Sequence, residues 1–189
     1  MVKADCHDCR GCSKCCHGMG NSIVLDPYDI YRMQKGLSMS LKQLIQAGYI
    51  ELNIVDRLTL PNIKMQGKED ACGFLDEAGR CKIHPYRPGI CRLFPLGRYY
   101  EKEDFWYFLQ VHECPNEARS KVKVKKWIDT PRLQEYERFV KEWHFFLKKM
   151  EAYSASITDE EEIKNTSLYI SFKRYMIKKN VRRYLNEST

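Results

Sequence analysis

Asp5-Cys6-His7-Asp8-Cys9-Arg10-Gly11-Cys12-Ser13-Lys14-Cys15-Cys16 places five cysteines within eleven residues, in the pattern C-x2-C-x2-C-x2-C-C. Each C-x2-C step lets two thiolates point at one centre from a single turn, with intervening backbone amides free to hydrogen-bond the sulfurs. Successive steps of this length also resemble the runs that wrap iron–sulfur clusters. Ligand softness excludes Ca2+ and Mg2+ and favours zinc, iron–sulfur or Cu(I). Counting ligands does not separate zinc from iron. A chain that begins this way is expected to staple its fold around metal.

Four more cysteines follow, Cys72, Cys81, Cys91 and Cys114, and none lies beyond them. Nine is an odd number, and the adjacent Cys15 and Cys16 are poor partners for each other. A disulfide framework suits a short secreted chain. Here Met1-Val-Lys-Ala-Asp5 has no apolar h-region, and no apolar run reaches membrane-spanning length. These features predict a cytoplasmic protein with reduced thiols and no membrane partner. Hydrophobic residues make up 43% and charged residues 30% of 189 positions, which is a globular balance. The net charge of +7 counts cysteines as neutral, so the cations partly serve to offset thiolates.

Outward from the cysteine run, Ile23-Val24-Leu25 reads as a short strand. Asp26-Pro27 reads as a cap with proline at the first helical position, opening a helix that stops at Gly36. Ser40 to Gln43 is a capping box for a second short helix ending near Gly48. Residues 49–66 predict two strands around Pro61-Asn62, and Cys72 and Cys81 flank a turn at Glu77-Ala78-Gly79. Residues 84–97, with Pro85, Pro88 and Pro95, read as loop. Tyr99-Tyr100 and Phe105 to Val111 read as a hairpin. Thr130-Pro131 predicts the start of a long helix carrying Val140, Trp143, Phe146, Leu147 and Met150, broken at Ser154 to Ser156. A capping box at Thr158 and Glu161 opens a last helix. The expected fold is α+β: a metal-stapled cysteine domain over residues 1–118, then a helical hairpin over 119–189 that packs on it.

The order Cys9-x2-Cys12-x2-Cys15-Cys16, Cys72-Gly-Phe-Leu, Cys81-Lys-Ile-His, Arg87-Pro-x2-Cys91-Arg92 and Phe94-Pro95 resembles the CxxCxxCC (YkgJ-type) cysteine-cluster family, described as zinc- or iron-chelating. The resemblance implies metal binding through Cys9, Cys12, Cys15, Cys16, Cys72, Cys81 and Cys91, with Cys114 as a later, looser correspondent. Cys6 is extra to the family pattern and reads as a spare thiol. A similar cysteine pattern occurs in flagellin lysine-N-methylases, where an iron–sulfur cluster is implied. On that similarity a 4Fe-4S cluster is the expected cofactor, with zinc as the alternative.

Among other candidates, His84 and His112 lie near Cys81 and Cys114, and His7 and His17 flank the N-terminal run; each reads as a neighbour of ligands more readily than as a ligand. His144 reads as an ordinary helical residue. Arg87 and Arg92 bracket Cys91. They either favour thiolates or hold an anion, or they fix the proline-rich loop. Lys121, Lys123, Lys125 and Lys126 and the tail from Lys173 to Arg183 could meet a protein or nucleic-acid partner, or be a solvated face. The sequence contains no radical-SAM run, P-loop or G-x-G-x-x-G. No specific reaction is written in it. An iron–sulfur enzyme or accessory protein, and a binding module with structural metals, stand as alternatives to a simple metal-binding protein.

Overall fold

The computed structural model describes residues 1–5, 12–116 and 118–156. Cys6, His7, Cys9, the last helix and the basic tail expected beyond Thr158 lie outside the described residues. The chain combines helices with four two-stranded antiparallel pairings, an α+β arrangement.

Strand β1 (Val2–Asp5) is followed by a tight helical turn at Lys14–Cys16. Helix α1 (Pro27–Leu37) starts as its sequence dictates: the Asp26 carboxylate accepts from the Asp29 amide at 2.8 Å, and Asp29 accepts from the Asp26 amide at 3.2 Å. It does not stop at Gly36. The helix runs on to Leu37 and closes at Ser38 in the left-handed conformation. Gly36 instead serves a close approach, since a Cβ there would lie 2.5 Å from the Tyr86 ring. Helix α2 (Leu41–Gln46) opens on the expected capping box, with Ser40 and Gln43 each accepting from the other's amide.

Strands β2 (Ile50–Val55) and β3 (Leu58–Ile63) form a hairpin whose two turn residues, Asp56 and Arg57, both have positive φ. This matches the right-handed strand twist, as in type I′ turns. The expected strand at Ile23 to Leu25 is only a segment lying along β3, bridged at Val24–Asn62. Its two backbone bonds, Leu25 N–H to Pro61 and Ile63 N–H to Ile23, are too few for a strand. Short strands β4 (Met65–Gln66) and β5 (Ala71–Cys72) pair next.

Residues 84–97 are more helical than their prolines suggest. A turn at His84–Tyr86 has Pro85 near its start, and Pro88 stands at the cap of helix α3 (Gly89–Leu93). Proline lacks only an N–H that a helix start leaves unused, so it begins these elements rather than ending them. The hairpin β6 (Leu96–Glu101) and β7 (Asp104–Leu109) turns at Lys102 and Glu103, both with positive φ.

Strand β8 (Ser120–Val122) pairs with β1 and leads into helix α4 (Val124–Ile128), which the sequence pattern did not announce. Asp129 and Arg132 take left-handed conformations, so the long helix α5 opens at Leu133, not at Pro131. It continues through Ser154 to Ser156.

One core gathers Ile23, Leu25, Ile30, Met33, Leu44, Ile50, Ile63, Phe74 and Ile83. The α5 face, Tyr136, Phe139, Val140 and Trp143, packs beside it against Tyr28 and Tyr31 of α1. Among the described residues no helix is long and apolar enough to cross a membrane.

Candidate metal centre

Five of the expected cysteines come to one place. Cys15, Cys16, Cys72, Cys81 and Cys91 line a single cavity of about 570 Å3. They reach it from four separate elements, and each is positioned by local bonding.

Cys15 and Cys16 sit on the Lys14–Cys16 turn, closed by the Cys16 amide donating to Ser13 O at 2.8 Å. His17 caps it with Nδ1 at 2.9 Å from Ser13 O and bridges to Ala71, while Gly18 N–H bonds Asp70 O. These contacts dock the turn against β5, which ends in Cys72. The chain then reverses at Asp76, whose carboxylate accepts from the amides of Ala78 and Arg80. A bridge between Leu75 and Cys81 returns the second cysteine to the same wall. Cys91 comes from the middle of α3.

Cys72 and Cys81 share a detail. The backbone amides two residues on, at Phe74 and Ile83, act to lower the Cys72 and Cys81 thiols. Both influences favour the thiolate. Burial nevertheless pushes these two thiols up, and it pushes Cys91 up further, with Asp29 adding to the effect. Cys15 is the exception. A hydrogen bond with Cys16 outweighs burial and holds Cys15 down at about 7, helped by Arg87; the same bond pushes Cys16 up. Crowded sulfurs therefore raise one another, which is the electrostatic problem a bound cation removes.

The two arginines bracketing Cys91 have different jobs. Arg87 lines the cavity, lowers Cys15 and Cys81 through its charge, and donates from Nη1 to His84 Nε2 at 2.8 Å. Its Nε is buried with no hydrogen-bond partner. Arg92 is buried and turned away, donating to the carbonyls of Arg87 at 3.2 Å, Asp129 at 2.8 Å and Pro85. Arg92 fixes the proline-rich loop, and Arg87 faces the sulfurs.

Cys12 and Cys114 are described but do not line this cavity, and neither do His17, His84 and His112. Among the described residues, no three or more His, Cys, Asp or Glu side chains are already arranged as a metal polyhedron. Sequence reading missed the cavity's far wall, formed by Asp26, Asp29, Arg98, Tyr100, Tyr136 and His144. Asp26 was legible only as a helix cap, and Asp29 and Arg98 carry no motif.

No curated protein and no solved structure matches this chain. A family model does match, over residues 8–115, more than half of the chain; it is CxxCxxCC, a putative zinc- or iron-chelating domain. With five of its motif cysteines lining one cavity, the chain belongs to the CxxCxxCC family of zinc- or iron-chelating domains.

Proposed function

We propose that this protein coordinates an iron–sulfur cluster of the 4Fe-4S type through its clustered cysteines, with zinc as the competing occupant. Cys15, Cys16, Cys72, Cys81 and Cys91 supply the central donors, and Cys9, Cys12 and Cys114 the remaining family positions. The observation that carries this reading is the meeting of five cysteines from distant parts of the chain on one cavity. A soft, thiolate-rich donor set fits zinc or iron and suits no hard cation. Amides and a guanidinium aimed at sulfur stabilise thiolate charge and, for a cluster, raise its potential.

Anaerobic purification of the full chain followed by metal analysis and visible spectroscopy tests this. Broad sulfur-to-iron charge-transfer absorption with iron and sulfide in stoichiometric amounts supports the cluster. A colourless zinc protein replaces it with the zinc reading, and a folded protein free of both metals overturns the proposal. Serine substitution at Cys72, Cys81 or Cys91 should abolish tight metal binding, while Cys6→Ser should leave it intact.

The cavity continuing past the sulfurs favours a second reading, an iron–sulfur enzyme or accessory protein. In the proposed setting the protein works in the cytoplasm on soluble partners.

A further inference from the structure

The cavity at the cysteines extends beneath α5, where its walls change character. Apolar side chains from Ile63, Leu96, Val140, Trp143 and Leu147 surround a small set of polar groups. About 570 Å3 falls within the ~300–1,000 Å3 usual for small-molecule sites.

We propose that this inner part of the cavity binds a small organic anion, a carboxylate carried on an apolar body, with Arg98 as its anchoring cation. The argument rests on which hydrogen-bonding capacity the walls leave unused. Of the two aspartates in the wall, Asp29 has both carboxylate oxygens committed and Asp26 has one. Asp29 accepts from the Asp26 amide with one oxygen and from the Gly89 amide, at 2.7 Å, with the other. Asp26 accepts from the Asp29 amide. The exposed Glu113 stands only at the rim.

The unused groups are donors. Two cavity-lining side chains have a buried nitrogen with no hydrogen-bond partner, and both are the Nε of an arginine, Arg87 and Arg98. Arg87 faces the sulfurs. Arg98 does not; its charge acts on Asp26 and Asp29, but among the described residues it forms no direct ion pair with a carboxylate. Its guanidinium is held by rings, 5.6 Å from Phe105, 5.9 Å from Tyr107 and 5.5 Å from Tyr136, with a bond to the Tyr136 hydroxyl at 3.3 Å and the hydroxyls of Tyr100 and Tyr107 also acting on it. Such a guanidinium is prepositioned, and its buried Nε still lacks an acceptor, which favours a planar anion. An amine ligand would meet a fixed cation there.

The test titrates the full-length protein, with its metal content measured on the same sample, with three probes of one shape: hexanoate, hexanamide and hexylamine. Calorimetry is expected to show hexanoate binding at least about tenfold tighter than either of the others. Arg98→Gln should weaken hexanoate by about tenfold or more, and Arg57→Gln, in the exposed β2–β3 turn, should not change it. Equal binding of the three probes, preference for the amine, an unchanged Arg98→Gln affinity, or no hexanoate binding up to about 10 mM each overturns the inference. If Arg98→Gln fails to fold, the three-probe comparison on the unmutated protein decides alone. Metal-free protein that still binds hexanoate would leave this inference standing and remove the metal reading. Metal-loaded protein that ignores hexanoate would do the reverse.

Discussion

Gly89→Ala should be among the most damaging single-methyl changes in this protein. Gly89 is buried at the start of α3 and its N–H donates to Asp29 Oδ1. A Cβ at this position falls 1.9 Å from the Tyr136 hydroxyl oxygen, 3.2 Å from its Cζ and 3.5 Å from Asp29 Oδ1. Its φ lies outside the left-handed region, so the objection to alanine is one of space. Forcing extra volume into a packed site costs about 1–3 kcal/mol. Moving α3 to relieve the clash stretches the bond to Asp29, and an orphaned buried acceptor costs about 1–3 kcal/mol more. Against this, alanine restricts the unfolded chain, worth about 0.4–1 kcal/mol. The net loss is about 2–4 kcal/mol, or roughly 5–12 °C in Tm for a chain of this size. Urea unfolding followed by tryptophan fluorescence, on samples of matched metal content, measures it. The cause is isolated by adding Tyr136→Phe, which removes the clashing oxygen. The double variant should recover about 1–2 kcal/mol relative to the sum of the single changes. Because α3 also carries Cys91, Gly89→Ala should lower metal content as well. A Gly89→Ala protein as stable as its parent, or strict additivity with Tyr136→Phe, would refute the close-approach reasoning.

Glu103→Gly should stabilise the protein by about 0.5–1 kcal/mol in thermal unfolding, because Glu103 occupies a left-handed turn position (φ 65°) that glycine adopts without strain. Arg92→Lys should destabilise by about 2–4 kcal/mol in the same assay, since one ammonium cannot reach the three carbonyls that the buried guanidinium satisfies. Burial and Lys148 hold the His144 imidazole below its ordinary value, so the folded state keeps it neutral after the unfolded chain has taken up a proton. Its contribution is therefore intact above about pH 6.5 and declines as pH falls through the folded pKa. The stability of wild type minus His144→Phe, measured by urea unfolding across that window, should shrink on acidification; a pH-independent difference would contradict it.

Local chemistry made much of the chain readable in advance. The cap at Asp26, the capping box at Ser40, the apolar spacing of α5 and the β6–β7 hairpin each depend on residues within a few positions of one another, and each forms where expected. The cysteine motif likewise announced a metal-chelating domain, because ligand type and short spacing are themselves local properties. Other features were settled by partners far along the chain. Gly36 looked like a helix stop and is instead the place where Tyr86 presses against α1. Pro85 and Pro88 looked like loop and begin helical turns that deliver Cys91. Arg87 and Arg92 were indistinguishable in sequence, yet one turns to the sulfurs and the other to the carbonyls of a loop.

The opening cysteine run determined, without any structure, that soft-metal chemistry would organise this protein. It could not say which sulfurs meet. Cys15 and Cys16 join Cys72, Cys81 and Cys91 because a turn, a two-residue strand, a bridge and a short helix converge on one side of the core. Cys12, only three residues earlier, and Cys114 do not line that cavity. Spacing constrains ligands within a turn, whereas convergence across dozens of residues is a property of packing. The same packing set Arg98 among three rings, leaving its buried Nε unused.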